Sequence, residues 1–299
     1  MTIIDGSAHT GSLPDDLILV DCRNVMDDME ASGRKIASHP LKGAVHIPQS
    51  PWMFDSPGLN RGRHPIPCRS VVAALHQTLK QEGGTLLLLD DEKQFFHTRL
   101  YYLFWLYGLD ALLWNDSIER LSSLSGKFRE SAATLPAEDL ERRGTFDDAD
   151  KNLLAGMDAV KAAVNDRDVL LIDVRARARY LGEEEPIDRK MGHIPGAVNI
   201  PYGDIFRSGR MDFDALEDMR SFLGSFREII VYCGSGMSAT PPFLVLREMG
   251  LPARLYGGSF SEWITVEANS IETGDSPLNE RIPARTRSPH PLGRHPPQT

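Results

Sequence analysis

The feature that most constrains the fold is a set of short motifs that occurs twice, in the same order. Leu17-Ile18-Leu19-Val20-Asp21-Cys22-Arg23 corresponds to Val169-Leu170-Leu171-Ile172-Asp173-Val174-Arg175, and Gly43-Ala44-Val45-His46-Ile47-Pro48 to Gly196-Ala197-Val198-Asn199-Ile200-Pro201. The apolar run Leu86–Leu89 ahead of Asp90 then corresponds to Ile229–Tyr232 ahead of Cys233, and Gly108-Leu109 to Gly250-Leu251. Matched landmarks in one order indicate a duplicated unit, and a chain of 299 residues has room for two domains.

The paired runs are continuously apolar rather than alternating, which is the pattern of parallel strands covered on both faces. Val71, Val72, Leu75 and Leu79 keep helical spacing between two such runs. Strands alternating with helices predict an α/β fold of two tandem domains, each a central, mostly parallel sheet flanked by helices, with functional groups at the carboxyl ends of the strands. The units span residues 1–121 and 149–272. A Ser-, Glu- and Asp-rich stretch at 122–148 reads as a linker, and the Pro- and Arg-rich tail at 273–299 is expected to be mobile because it has little apolar surface to bury.

Composition removes several functions. No apolar run approaches the roughly 18 to 20 residues that span a bilayer, so membrane insertion is excluded. The start, MTIIDGSAHT, has neither the basic nor the apolar part of a secretory signal, and a cytoplasmic location with reduced thiols is expected. Cys22, Cys68 and Cys233 are odd in number and lack Cys-x-x-Cys spacing, which argues against a disulfide framework and a cysteine zinc site. A net charge of −9 disfavours nucleic-acid binding, and an anionic substrate would need locally clustered arginines. No metal or cofactor is implied.

One cysteine sits in a reactive setting. Cys233 follows an apolar strand and opens Cys233-Gly234-Ser235-Gly236-Met237-Ser238-Ala239-Thr240, after which a helix is predicted from about Pro241 to Met249, stopped by Gly250. Glycines let the backbone curl so that amide N–H groups face inward, and the positive end of the helix adds to them. Such a cradle favours a thiolate, the nucleophilic form of cysteine. A cysteine phosphatase loop would place Arg after five residues, whereas Ala239 stands here and the next arginine is Arg247, so phosphate-ester hydrolysis is disfavoured.

At these residues the chain resembles the rhodanese sulfurtransferases in their tandem two-domain form. The resemblance covers about residues 15–272 and rests on Gly192-His193-Ile194-Pro195-Gly196-Ala197-Val198-Asn199, the loop Cys233-Gly234-Ser235-Gly236, and Leu255-Tyr256-Gly257-Gly258-Ser259-Phe260-Ser261-Glu262-Trp263. It implies two rhodanese-like domains, a catalytic C-terminal one and a silent N-terminal copy in which Asp90 replaces the cysteine. Cys-Gly-Ser-Gly followed by an apolar and a hydroxyl residue looks like the 3-mercaptopyruvate branch, with Met237 and Ser238 in place of Val and Thr. The implied reaction transfers sulfur from that small-molecule donor to a thiol such as thioredoxin or a small thiol, or to cyanide, through a Cys233 persulfide.

Further site residues are carried over by the same resemblance. Arg179 in Arg177-Ala178-Arg179-Tyr180 matches a substrate-binding arginine, and Arg189 after Glu185-Pro186-Ile187-Asp188 is a second candidate. Gly234, Gly236, Met237 and Ser238 complete the substrate loop. Ser235, His64 and Asp55 form the implied proton relay, with His64 reaching over from the silent domain. Cys22, His193, Arg175 and Asp173 read as structural, while Cys68 has no assigned role. Two alternatives stay open: thiosulfate:cyanide transfer, disfavoured by the absence of Lys or Arg in the loop, and a non-catalytic sulfur-carrier or binding module.

Overall fold

The computed structural model describes residues 2–8, 13–58, 61–80, 83–91, 95–123, 128–129, 135 and 149–281. The N-terminal half builds a six-stranded parallel sheet from β1 (Ile3–Ile4), β2 (Leu17–Asp21), β3 (Val45–His46), β4 (Thr85–Leu89), β5 (Leu112–Trp114) and β6 (Phe128–Arg129). Their order is β1-β5-β4-β2-β3, with β6 also on β2. The C-terminal half builds a five-stranded sheet from β7 (Leu154–Ala155), β8 (Val169–Asp173), β9 (Val198–Asn199), β12 (Glu228–Tyr232) and β13 (Ala253–Tyr256). It runs β7-β13-β12-β8-β9, also parallel, and a separate hairpin is formed by β10 (Phe206–Arg207) and β11 (Arg210–Met211).

The duplication holds to the level of register. β2 sets Asp21 opposite Leu89, and β8 sets Asp173 opposite Tyr232, so Asp90 and Cys233 leave their sheets at equivalent points. Each half also buries a local Asp–Arg pair at that level, Arg23 on Asp21 at 2.7 Å and Arg175 on Asp173 at 2.6 Å. The central strands are buried on both faces, as their unbroken apolar runs require.

One hydrophobic cluster runs through both halves. Helix Phe96–Leu106 packs on helix Thr240–Glu248, with Tyr102 edge-on to Phe243 at a centroid distance of 5.2 Å. At the same contact the hydroxyls of Thr98 and Thr240 bond at 2.8 Å. Helix Arg69–Leu79 buries all four of the residues that gave it its spacing. No helix among the described residues is long and apolar enough to cross a membrane.

Two expectations at the ends of the units change. Within 122–148, Phe128–Arg129 pairs in parallel with Leu17–Ile18, so part of the stretch read as a linker belongs to a sheet; residues 124–127, 130–134 and 136–148 lie outside the described residues. The tail does not leave the body at 273. Pro277–Arg281 forms a 3-10 turn, and Asn279 donates to the Tyr180 hydroxyl at 3.0 Å while its own Oδ1 accepts from Asn199 N–H. These polar anchors act together with Leu278, which packs against the main hydrophobic cluster, and residues 282–299 lie outside the described residues.

Candidate active site

Cys233 ends up in the cradle that its local sequence calls for. β12 delivers it to the carboxyl edge of the sheet, and helix Thr240–Glu248 starts just beyond, with prolines in its first turn. Cys233 is 2% exposed, and its sulfur accepts the Gly236 N–H at 3.1 Å. Turning amides inward turns carbonyls outward, and buried carbonyls need donors. Phe260 and Ser261 N–H groups donate to the Cys233 and Gly234 carbonyls at 3.0 and 2.8 Å, and Thr240 donates to that of Met237. The Gly236 carbonyl is met by Arg99 Nη1 at 3.1 Å, from the other half of the chain.

Glycine at 236 is required by two independent constraints. Its φ is +82°, and a Cβ there would run into the Gly257 carbonyl oxygen. Gly236→Ala is therefore expected to cost about 2–3 kcal/mol of stability and, by displacing the cradle, to slow iodoacetamide alkylation of Cys233 by about 10²-fold. Thermal unfolding and mass spectrometry of the Cys233 peptide read the two effects. Unchanged alkylation would mean that the loop geometry does not matter for the sulfur.

A hydrogen-bonded chain of side chains spans both halves. Ser235 Oγ lies 2.6 Å from His64 Nδ1, and His64 Nε2 lies 2.8 Å from Asp27 Oδ1. The carboxylate behind His64 is thus Asp27 rather than the expected Asp55. Asp55 holds Arg61 at 3.1 Å, and its main-chain N–H bonds Pro65, which commits it to shaping the loop that carries His64. Asp27 reaches the ring from a strained backbone, φ 58°, and the hydrogen bond from His64 is the main cause that holds its carboxyl below the usual range. An ionised carboxylate can only accept, so the proton of the neutral ring belongs on Nε2, leaving Nδ1 to accept from the Ser235 hydroxyl. Asp27, with a side chain 57% exposed, opens this chain of groups to solvent.

Two arginines face the start of the loop. The site of an added Cβ at Gly234 lies 2.7 Å from Arg63 Nη2 and 3.5 Å from Arg179 Nη2. Arg179, expected from the sequence, lies beside Gly234, and the other arginine there is Arg63 from the N-terminal half, while Arg189 is exposed. The shifted spacing after Pro186 gives the inward position to Asp188, which holds Arg63 at 3.1 Å and Arg179 at 3.1 Å. Met237 also differs: its side chain is 1% exposed and packs in the core, so it can serve a ligand only through its backbone, while Ser238 is partly exposed. Ser259, at φ 54°, accepts the Cys233 N–H at 3.1 Å and fixes the root of the loop.

At the equivalent point of the N-terminal half stands Asp90. Asp90 accepts from the N–H groups of Phe96 at 2.9 Å and His97 at 3.2 Å, and burial raises its carboxyl above the ordinary range. The covering is reciprocal. Residues 61–64 of the N-terminal half lie over the Cys233 loop, where Arg63 N–H donates to Ser261 Oγ, while the β10–β11 hairpin of the C-terminal half closes over Asp90 and is tied to Asn115 by two 2.9 Å bonds through Met211. No group of His, Cys, Asp and Glu among the described residues could hold a metal ion.

A family model described as Rhodanese-like domain matches residues 157–265. The "Probable 3-mercaptopyruvate sulfurtransferase" of Pseudomonas aeruginosa is 31% identical over 272 residues, which cover 87% of this chain and 93% of that protein. The chain belongs to the rhodanese family. Thiosulfate/3-mercaptopyruvate sulfurtransferase 1 of Arabidopsis thaliana is 27% identical to this rhodanese over 78% of this chain and 69% of that protein. The 3-mercaptopyruvate sulfurtransferase from Leishmania major shares the fold, with a TM-score of 0.63 at 20% identity over 88% of this chain and 74% of that one. Rhodanese architecture accounts for both sheets, and the relatives place the chain among the sulfurtransferase enzymes.

Proposed function

We propose that the protein transfers sulfur from 3-mercaptopyruvate to a thiol or to cyanide through a persulfide on Cys233. The Cys233 thiolate attacks the donor sulfur, the carbon–sulfur bond breaks, and its electron pair passes into the enolate of pyruvate. The proton that began on the donor thiol is needed at that carbon, giving pyruvate and Cys233–S–S⁻. A thiolate acceptor, such as thioredoxin or a small thiol of a reducing cytoplasm, then attacks the outer sulfur and regenerates the Cys233 thiolate. Arg179 and Arg63 hold the donor carboxylate, and inward amides of the loop receive the sulfur charge.

The observation that carries this reading is the chain Ser235–His64–Asp27, which begins two residues from the nucleophile. Release of a carbon leaving group requires a proton to be moved, which is the work of such a relay. Thiosulfate releases sulfite, an anion that leaves without being protonated, so that donor gives the relay nothing to do. Purified protein supplied with each donor and a thiol acceptor is expected to show the larger kcat/KM for 3-mercaptopyruvate, with one sulfur gained and lost on Cys233. A larger value for thiosulfate would favour thiosulfate:cyanide transfer, and no sulfur exchange with either would favour a carrier or binding module.

A further inference from the structure

We infer that Asp188 is a specificity-determining residue that occupies the anion site of the unliganded protein and keeps it selective for a singly charged donor. This rests on the sulfurtransferase reading of the same site, and concerns which donor the site admits. Its side chain is 3% exposed and lies between the two arginines beside Gly234. Oδ1 receives Arg63 Nε at 3.1 Å, and Oδ2 receives Arg63 Nη2 at 3.3 Å and Arg179 Nη2 at 3.1 Å. That is the contact pattern of a bound carboxylate, a bidentate fork on one guanidinium shared with a second, supplied here by the chain itself.

Glu185 takes further donors. Arg179 gives it Nε at 3.1 Å and Nη2 at 2.7 Å, and Arg175 gives it Nη1 at 3.2 Å. Burial alone would raise the Glu185 carboxyl, yet the Arg179 hydrogen bond and the N–H groups of Asp188 and Ile187 hold it below the ordinary range. The charges around the mouth therefore balance, with Arg63, Arg175 and Arg179 against Asp173, Glu185 and Asp188. The Cys233 sulfur meets Gly236 N–H in front, and the Arg99 guanidinium is bonded to the back of the same loop.

A donor anion entering this balanced set has to replace Asp188 on its arginines while Asp188 stays nearby. One incoming charge against one resident charge is an exchange. A dianion such as thiosulfate adds a second negative charge that no free cation in the set answers, beside a nucleophile that is itself an anion.

Protection of Cys233 from alkylation by neutral iodoacetamide tests this on the full chain without any turnover, so a failure here is separable from a failure of the donor assay. Pyruvate serves as the monoanion and sulfate as the dianion, at matched ionic strength, read on the Cys233 peptide by mass spectrometry. The wild type is expected to be half-protected at a lower concentration of pyruvate than of sulfate. Asp188→Asn keeps the shape and removes the charge, and should lower the half-protecting concentration of sulfate by about tenfold more than that of pyruvate, one charge's effect at a partly screened site. Equal shifts for both anions, or a selective change below about threefold, would overturn the assignment. If the variant does not fold, the wild type alone decides: sulfate protecting as well as pyruvate rejects the proposal.

Discussion

Cys233→Ser is expected to abolish pyruvate release from 3-mercaptopyruvate and sulfite release from thiosulfate, each by at least about 10⁴-fold, while the protein stays folded. A serine hydroxyl is not ionised near neutral pH and forms no persulfide. It is nevertheless close to the thiol in size and can accept the Gly236 N–H that the sulfur accepts now, so stability should change by less than about 1 kcal/mol. Steady-state assays with both donors and a thermal melt measure the two halves of the expectation. Residual turnover above about a hundredth of wild type would point to another thiol. Cys22 is poorly suited to that role, because full burial pushes its thiol well above the ordinary range.

Arg99→Met should cost about 3–5 kcal/mol of stability and disorder the active site with it. The guanidinium is 0% exposed and donates to three main-chain carbonyls: Met53 at 3.0 Å, Gly236 at 3.1 Å and His64 at 3.2 Å. Methionine replaces the aliphatic stem but leaves all three acceptors buried and without this donor. Burial pushes Arg99 down to about 10, which still leaves it charged at neutral pH, and the nearby Cys233 sulfur helps to hold it up. Arg99→Lys, which keeps the charge and one or two of the bonds, is expected to lose less than half as much. Urea unfolding midpoints of the three proteins give the comparison, and a loss below about 1 kcal/mol for Arg99→Met would mean that water satisfies those carbonyls.

What was legible in the sequence is what depends on neighbours along the chain. The repeated Asp-x-Arg after an apolar run became the same buried ion pair in both sheets, and the helix over Arg69–Leu79 follows from its spacing. The Cys233 loop was readable because strand, glycines and helix start are consecutive. Misses occur where partners come from afar. Asp27 reaches His64 across 37 positions and Arg99 reaches Gly236 across 137, so no local spacing could have picked them out. Arg63 directly precedes His64, and that adjacency is the local signal for its place at the same loop. The placement of Asp55 failed because its loop turns that carboxylate towards Arg61.

The mutual covering of the two cradles bears on how the protein comes into being. Synthesis runs from the N-terminus, so the half that emerges first carries Asp90, bonded to nearby amides, at the point where the second half carries Cys233. The sulfur is made late, and His64, Arg63 and Arg99 are waiting on the earlier half when it arrives. Neither half alone therefore carries the whole arrangement, since Cys233 and Ser235 come from one and His64, Arg63 and Arg99 from the other.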